Sequence, residues 1–119
     1  MEAERRIFFL VYPGFELLDM SGPAGVFHAA NKEGDISLFR PDFRLAAERR
    51  YAVQAVSVEG GQVESGCGIA VETRPIEKLE PEPRDMLLVT GAIPHYLEPA
   101  MADARLTGWL ARSARHFGR

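Results

Sequence analysis

One acidic residue stands in a strongly apolar stretch near the start of the chain. Asp19 lies within FELLDMSGP, residues 15–23, between leucine and methionine. A carboxylate among apolar side chains costs free energy unless hydrogen-bond donors or positive charge satisfy it. The start of a helix offers both, because its first amides lack helical partners and its dipole is positive at that end. Asp19 is therefore a candidate ligand-binding residue, and the structural alternative is that it only caps backbone amides in its loop.

A second candidate segment follows the apolar run MLLVT at residues 86–90. Gly91 and Ala92 have small side chains, which would let a ligand approach backbone N–H groups that stabilise an oxyanion or bind a carboxylate. His95 follows on the same predicted loop, and its imidazole can titrate near neutral pH. We therefore group Gly91, Ala92 and His95 with Asp19 as candidate ligand-binding residues. The alternative for His95 is an ordinary surface histidine.

Other kinds of chemistry find little support in the residue spacing. Cys67 is the only cysteine, but it lies in a predicted hairpin with no base or helix start nearby in sequence to stabilise a thiolate. His28 and His116 fall in predicted helices, and no Cys/His spacing resembles a zinc site. The sequence also has no phosphate-binding loop and no GxSxG motif. We therefore predict no catalytic residue, no metal and no cofactor.

The apolar patterns predict strands before each candidate segment. IFFLVY at residues 7–12 and MLLVT at 86–90 are unbroken apolar runs, typical of parallel strands covered on both faces. Ligands bind beyond the carboxyl ends of such strands, so Asp19 and Gly91 are expected at the same edge of the sheet. The first helix is predicted to start from an N-cap at Ser21, with proline in its first turn.

The remaining pattern completes an alternation of strands and helices. A strand is predicted at 51–58, a hairpin with strands at 62–65 and 69–72, a helical turn at 76–79, and one long helix from Pro99 onward. The segment 34–50 is interpreted as a surface excursion with a helical turn near its end. This order predicts an α/β fold with a mostly parallel sheet, which needs another strand after the last helix.

The size and composition of the chain limit the classes of function that it can have. The chain has 119 residues, 46% of them hydrophobic and 26% charged, which predicts a single domain spanning residues 1–119. A net charge of −3 gives no reason to expect this piece to bind nucleic acid or an anionic membrane. The first residues resemble neither a signal peptide nor a membrane span. A cytoplasmic location is therefore predicted.

Three stretches of the sequence resemble a known family. YPGFELLDMSGP at residues 12–23, the segment YAVQAVSVEGGQVESGCGIAVET, and the strand ending in a small-residue turn before a long helix resemble the amino-terminal domain of GlxA-type AraC-family transcriptional regulators. That domain belongs to the ThiJ/PfpI group of the class I glutamine amidotransferase-like superfamily. The resemblance runs from Arg6 to Arg119, and it implies a flavodoxin-like three-layer sandwich that is commonly dimeric.

The resemblance also implies roles that this piece lacks. The reactive cysteine of the superfamily, where there is one, sits on a turn after the strand expected to follow residue 119. An acidic residue on the first loop hydrogen-bonds near that thiol, and Asp19 matches it by motif. The chain is therefore expected to be an incomplete amino-terminal part of the domain, catalytically silent, with an open sheet edge.

Two hypotheses of function follow from the resemblance. The first is an effector-sensing or dimerising domain of an AraC-family regulator, which forms a homo-oligomer, binds an unknown small-molecule effector, and contacts DNA only through a carboxy-terminal domain absent from this chain. The second is a fragment of a ThiJ/PfpI-type enzyme such as an isocyanide hydratase, which carries a similar LDxxGP segment. In the enzyme, Asp19 would orient a water or a thiol, and Gly91 and Ala92 would offer oxyanion donors.

Overall fold

The first strand organises the sheet. The structure is a computed structural model that describes residues 4–31 and 51–119. β1 (Arg5–Leu10) lies between β2 (Tyr51–Ser57) and β5 (Met86–Val89) and runs parallel to both. The last four residues of β1 are buried, because both of its faces are covered. The predicted parallel strands are confirmed, and β1 is buried as expected, but the expectation of a buried strand is wrong for β5, whose four residues are all half-buried or exposed.

A hairpin extends the sheet on the far side of β2. β3 (Gly61–Glu64) pairs antiparallel with β4 (Ala70–Pro75), and β4 joins β2 in parallel, which gives the order β3-β4-β2-β1-β5 in the described sheet. Cys67 lies in the turn of the hairpin, as predicted. The fold is mixed α/β with a five-stranded, mostly parallel sheet, and the predicted fold class is confirmed.

Helices cover both faces of this sheet. α1 (Leu17–Ala30) places Phe27 against Tyr51, with ring centroids 5.1 Å apart. On the opposite face Phe117 contacts Phe8, with ring centroids 6.2 Å apart, and Trp109. Side chains of successive strand residues point to opposite faces of the sheet. Tyr51 is in register with Arg5, and Phe8 lies three residues after Arg5, so the side chains of Tyr51 and Phe8 point to opposite faces. The arrangement is therefore helix, sheet and helix, in three layers.

The first helix begins earlier than the sequence suggests. Glu16, not Ser21, is its N-cap, and Glu16 Oε1 accepts a hydrogen bond from Leu18 N–H at 3.4 Å. The Glu16 N–H in turn donates to Gly91 O at 2.8 Å. This contact fixes the helix start from a distant part of the chain, so the local preference of Ser21 for an N-cap is overridden. Pro23 consequently lies inside the helix, where it removes one backbone donor.

The predicted long final helix is two helices. α2 (Pro94–Ala102) begins five residues before Pro99, because proline at the first helical position has no amide hydrogen to lose. The backbone is extended at Asp103, whose Oδ1 accepts from Arg105 N–H at 3.0 Å and starts α3 (Ala104–Ser113). The apolar stripe is confirmed at Leu106 and Trp109, which are buried.

The outer edge of β5 is only partly open. The Leu87 N–H donates to Arg119 O at 2.9 Å, and the Gly118 N–H donates to Asp85 O at 2.9 Å. These two hydrogen bonds place residues 118–119 beside the start of β5, so the expectation of an open sheet edge is corrected there. Val89 at the other end of β5 is 55% exposed.

Asn31, directly after α1, is hydrogen-bonded to the first residue of β2. Its Oδ1 accepts from Tyr51 N–H at 2.8 Å, and its Nδ2 donates to Tyr51 O at 3.0 Å. Replacing Asn31 with alanine is expected to destabilise the fold by about 1 kcal/mol, because a half-buried backbone pair loses both partners. Asn31→Asp keeps the acceptor alone and should fall between the two in chemical denaturation. Equal stability of all three proteins would contradict this role. The predicted excursion at 34–50, with its helical turn, lies outside the described residues.

The described helices are short. The longest, α1, has 14 residues. Within residues 4–31 and 51–119, no helix is long and apolar enough to cross a membrane. The same residues contain no group of three or more histidine, cysteine, aspartate or glutamate side chains placed to hold a metal ion.

Candidate functional site

The candidate site lies where the strand order reverses. From β1 the chain moves to β2 on one side, and it later returns to β5 on the other side of β1. In open α/β sheets, the crevice at such a reversal, beyond the carboxyl ends of the strands, is the usual place for a ligand. The loops at residues 11–16 and 90–93 meet there. We call this place the strand-end rim, defined by Asp19, Gly91, Tyr12 and Thr90.

Asp19 and Gly91 are in direct contact. The Gly91 N–H donates to Asp19 Oδ2 at 2.8 Å, across 72 positions of sequence. Asp19 is exposed and sits in the first turn of α1, where the helix dipole favours a negative charge. The expectation that Asp19 and Gly91 lie at the same edge of the sheet is confirmed. The same bond shows that the carboxylate caps a backbone amide, but this amide belongs to the loop after β5 and not to the loop of Asp19, where the structural alternative placed it.

The contact with Asp19 leaves little room for a side chain at position 91. A Cβ added there would lie 3.0 Å from Asp19 Oδ2, which is tighter than ordinary van der Waals contact. A side chain at position 91 would therefore push against the carboxylate and lengthen the hydrogen bond. The small residue allows the backbone of the β5 loop to approach the acid on α1.

Two residues that the sequence reasoning did not single out support the rim. The Tyr12 hydroxyl donates to Thr90 O at 2.7 Å, and the Thr90 hydroxyl donates to Leu10 O at 2.8 Å. Both residues are buried. Burial, and then the negative charge of Asp19, raise the pKa of the Tyr12 phenol above its usual value. Tyr12 ends the apolar run that begins in β1. Its polar hydroxyl, at the point where an apolar strand gives way to a loop, is the sequence feature that could have identified it as part of the site.

The Asp19–Gly91 bond makes a testable contribution. Asp19→Ala is expected to lower the free energy of unfolding by about 1 kcal/mol, because the Gly91 amide loses its protein acceptor. Hydrogen exchange of the Gly91 amide, followed by NMR, should become faster in this variant. Asp19→Asn keeps a carbonyl oxygen and should retain part of the protection. Unchanged exchange at Gly91 in Asp19→Ala would show that the bond does not persist in solution.

The other two candidate residues, Ala92 and His95, take no part in the hydrogen bond between Asp19 and Gly91. Ala92 is half-buried and packs against the hydrophobic core. His95 was predicted on a loop, which is wrong: it is the second residue of α2. Its ring is exposed and contacts Tyr96 edge to face, with centroids 5.0 Å apart. None of its hydrogen bonds within the described residues reaches Asp19 or Gly91, so a ligand-binding role for His95 stays a prediction.

The hairpin turn packs against the same loop from the other side. The Gly14 N–H donates to Glu64 O at 2.8 Å, and the Gly66 N–H donates to Phe15 O at 2.9 Å. Cys67, on that turn, is exposed, and its Sγ lies 3.3 Å from the Ser65 hydroxyl. This hydroxyl, followed by a backbone hydrogen bond from Ile69, lowers the pKa of the Cys67 thiol.

The effect on the thiol can be measured by alkylation. Because a lower pKa places the thiolate at lower pH, Ser65→Ala is expected to shift the pH–rate profile of iodoacetamide alkylation of Cys67 toward higher pH. Ser113→Ala, at the end of α3 and outside these contacts, is the matched control and should leave the profile in place. Identical profiles for wild type and Ser65→Ala would show that the hydroxyl does not stabilise the thiolate.

Comparisons with known proteins point to one fold. No protein-family model matches the chain. An uncharacterized protein in the cpoL 5′ region of Streptomyces lividans is 39% identical over 66 residues, which are 56% of this chain and 37% of that protein. The crystal structure of a ThiJ/PfpI family protein from Pseudomonas syringae matches with a TM-score of 0.72 and 20% identity, over 98% of this chain and 40% of that one.

A transcription regulator shares the fold as well. The crystal structure of an AraC family transcriptional regulator from Pseudomonas putida matches with a TM-score of 0.53 and 18% identity, over 96% of this chain and 52% of that one. The chain thus spans about two fifths of the curated relative and of the ThiJ/PfpI structure. Its fold is that of the ThiJ/PfpI proteins, and both kinds of protein named by the sequence resemblance are among its structural neighbours.

Proposed function

We propose that this chain, folded like a ThiJ/PfpI family protein, is part of the amino-terminal effector-sensing and dimerising domain of an AraC-family transcriptional regulator. The motif YPGFELLDMSGP and the likeness to an AraC family regulator support this. The observation that carries the proposal is the 2.8 Å hydrogen bond from Gly91 N–H to Asp19 Oδ2. It joins an exposed acid and a small-residue turn at the edge where α/β sheets bind ligands.

The strand-end rim suits a ligand with both a donor and an acceptor. An N–H group of the ligand would donate to Asp19, and a carbonyl or carboxylate oxygen would accept from Gly91 N–H in place of Asp19. The internal hydrogen bond is then exchanged for two bonds to the ligand, so no polar group is left without a partner. Small amides and amine-bearing carboxylates have this pattern.

The enzyme alternative has less support from the described contacts. An isocyanide hydratase-like mechanism would use Gly91 as an oxyanion donor and would need a nucleophile beside it. The chain's single thiol, Cys67, has its hydrogen bond with Ser65 on the hairpin turn. Within the described residues, these contacts give no nucleophile paired with a base, which covalent catalysis needs. Among the described residues, the geometry therefore fits a binding role.

Pairing of two copies is the second part of the proposal. α1 has no buried side chain among the described residues, and its Leu18 and Val26 are 68% and 67% exposed. An apolar helix face of this kind is stabilised when another surface covers it. We expect the full-length protein to be a dimer by light scattering coupled to gel filtration, and a monomer at micromolar concentration would contradict this part.

A DNA-binding assay distinguishes a transcriptional regulator from an isocyanide hydratase-like enzyme. The full-length gene product is expected to bind the DNA upstream of its own gene in a mobility-shift assay, through a domain outside this chain. The same preparation should not convert an aryl isocyanide to the corresponding formamide. Hydration of the isocyanide without DNA binding would overturn the proposal in favour of the enzyme.

A further inference from the structure

A cavity of about 520 Å³ lies beside the strand-end rim and shares only Tyr12 with it. It opens between the end of β2, the β3 strand and the α2–α3 pair, whereas Asp19, Gly91 and His95 do not line it. Small-molecule sites in proteins usually measure between about 300 and 1,000 Å³. The cavity therefore has the size of a site for a compact organic ligand.

The inner wall of this cavity is apolar and aromatic. Tyr12, Val63 and Leu106 are buried residues that line it, and the ring of Tyr96 adds a second aromatic side chain. Tyr96 is held in place because its ring packs directly on Gly14. Aromatic rings in a fixed wall can bind an apolar group and can also attract a cation through their faces.

The mouth of the cavity is acidic. Glu59, Glu64, Asp103 and Arg105 line it, which gives three carboxylates for one guanidinium. Arg105 is already engaged, with Nη1 at 3.0 Å from Glu59 Oε1 and Nε at 3.7 Å from Asp103 Oδ1. Glu64 has no ion pair within residues 4–31 and 51–119. The mouth therefore carries an excess of negative charge, with Glu64 as the free carboxylate.

We propose that this cavity binds a small organic cation, a protonated amine that carries an apolar or aromatic group. The apolar group occupies the wall formed by Tyr12, Val63 and Leu106, and the ammonium group lies at the mouth near Glu64. Anions of the same shape are disfavoured, because the mouth repels them. The site does not depend on the proposed regulatory function, since neither Asp19 nor Gly91 takes part in it.

Three phenylalkyl probes of similar size and different charge test the charge preference. The purified protein is titrated with 2-phenylethylamine, 2-phenylethanol and 3-phenylpropionate, and binding is followed by two-dimensional NMR. The amine is expected to bind about tenfold more tightly than the alcohol, from the carboxylate and the aromatic rings together. Its chemical-shift changes should cluster at Val58, Val63 and Ala100, which line the cavity. Equal binding of the three probes, or no binding, would overturn the proposal.

Matched variants locate the interaction. Glu64→Gln is expected to weaken amine binding about threefold and to leave binding of the alcohol unchanged. Glu77→Gln, an exposed glutamate that does not line the cavity, should change neither. Asp19→Ala should also leave amine binding intact, so a failure of the strand-end rim is distinguished from a failure of this site. Shift changes at Gly91 in place of Val63, or no response to Glu64→Gln, would show that the amine binds elsewhere.

Discussion

Gly14→Ala is expected to destabilise the protein by about 3 kcal/mol, a large share of the stability of a small domain. Gly14 has a backbone φ of +84°, in the region that residues with a Cβ rarely adopt. A Cβ at this position would also overlap the ring of Tyr96. Both the left-handed backbone and the steric overlap therefore act against any side chain, and chemical denaturation should show a lower midpoint.

Gly61 provides the matched control for this variant. Its φ is +73°, close to that of Gly14, but a Cβ there would meet nothing within 4 Å. Gly61→Ala is therefore expected to cost only the backbone term, about 1 kcal/mol. The difference between the two variants measures the steric overlap with Tyr96. Equal losses would contradict the close contact between the loop after β1 and α2, and with it the wall of the cavity.

Asp85→Ala is expected to destabilise the protein by about 2 kcal/mol. The Asp85 side chain is 2% exposed and accepts hydrogen bonds from Arg6 Nε at 2.9 Å, Arg6 Nη2 at 2.6 Å and Glu82 N–H at 2.8 Å. Its removal leaves the guanidinium and one amide without these partners. The loss is smaller than for a fully buried pair, because the Arg6 side chain is 37% exposed and water can solvate part of its charge.

A second ion pair of similar length tests whether burial, and not the distance between the charged atoms, decides how much an ion pair contributes to stability. Arg105 Nη1 lies 3.0 Å from Glu59 Oε1, but both side chains are largely exposed. Glu59→Gln is therefore expected to leave the midpoint of urea denaturation almost unchanged, since solvent screens the pair. If Glu59→Gln were as destabilising as Asp85→Ala, the burial of Asp85 could not be the reason for its effect.

The position of Asp19 and Gly91 at one edge of the sheet could be predicted from the sequence for a physical reason. Both residues follow apolar runs, and the carboxyl ends of parallel strands lie at one edge of a sheet. Neither prediction needed a tertiary contact. The hairpin around Cys67 could also be predicted from the sequence, because glycine-bearing turns between short strands are local features.

The parts that could not be predicted depend on contacts between distant segments. The start of α1 at Leu17 is fixed by the hydrogen bond from Glu16 N–H to Gly91 O. Local helix propensities do not contain this contact, because its partners are far apart in the sequence. The break between α2 and α3 is an exception, because aspartate is a favoured N-cap residue and Asp103 is a local signal for it. The apolar stripe continues across Asp103, and the stripe alone predicts a single helix. The cavity assembles residues from β2, β3, α2 and α3, so its acidic mouth emerges only in the fold.

The most direct test of a sensing role at the strand-end rim is the effector response of the full-length protein. Its affinity for upstream DNA is measured with and without small amides and amine-bearing carboxylates, for wild type and Asp19→Asn. We expect one of these ligands to change the DNA affinity of the wild type, and the Asp19→Asn protein to bind free of ligand with the same affinity but to lose the response. An undiminished response in Asp19→Asn would contradict the account.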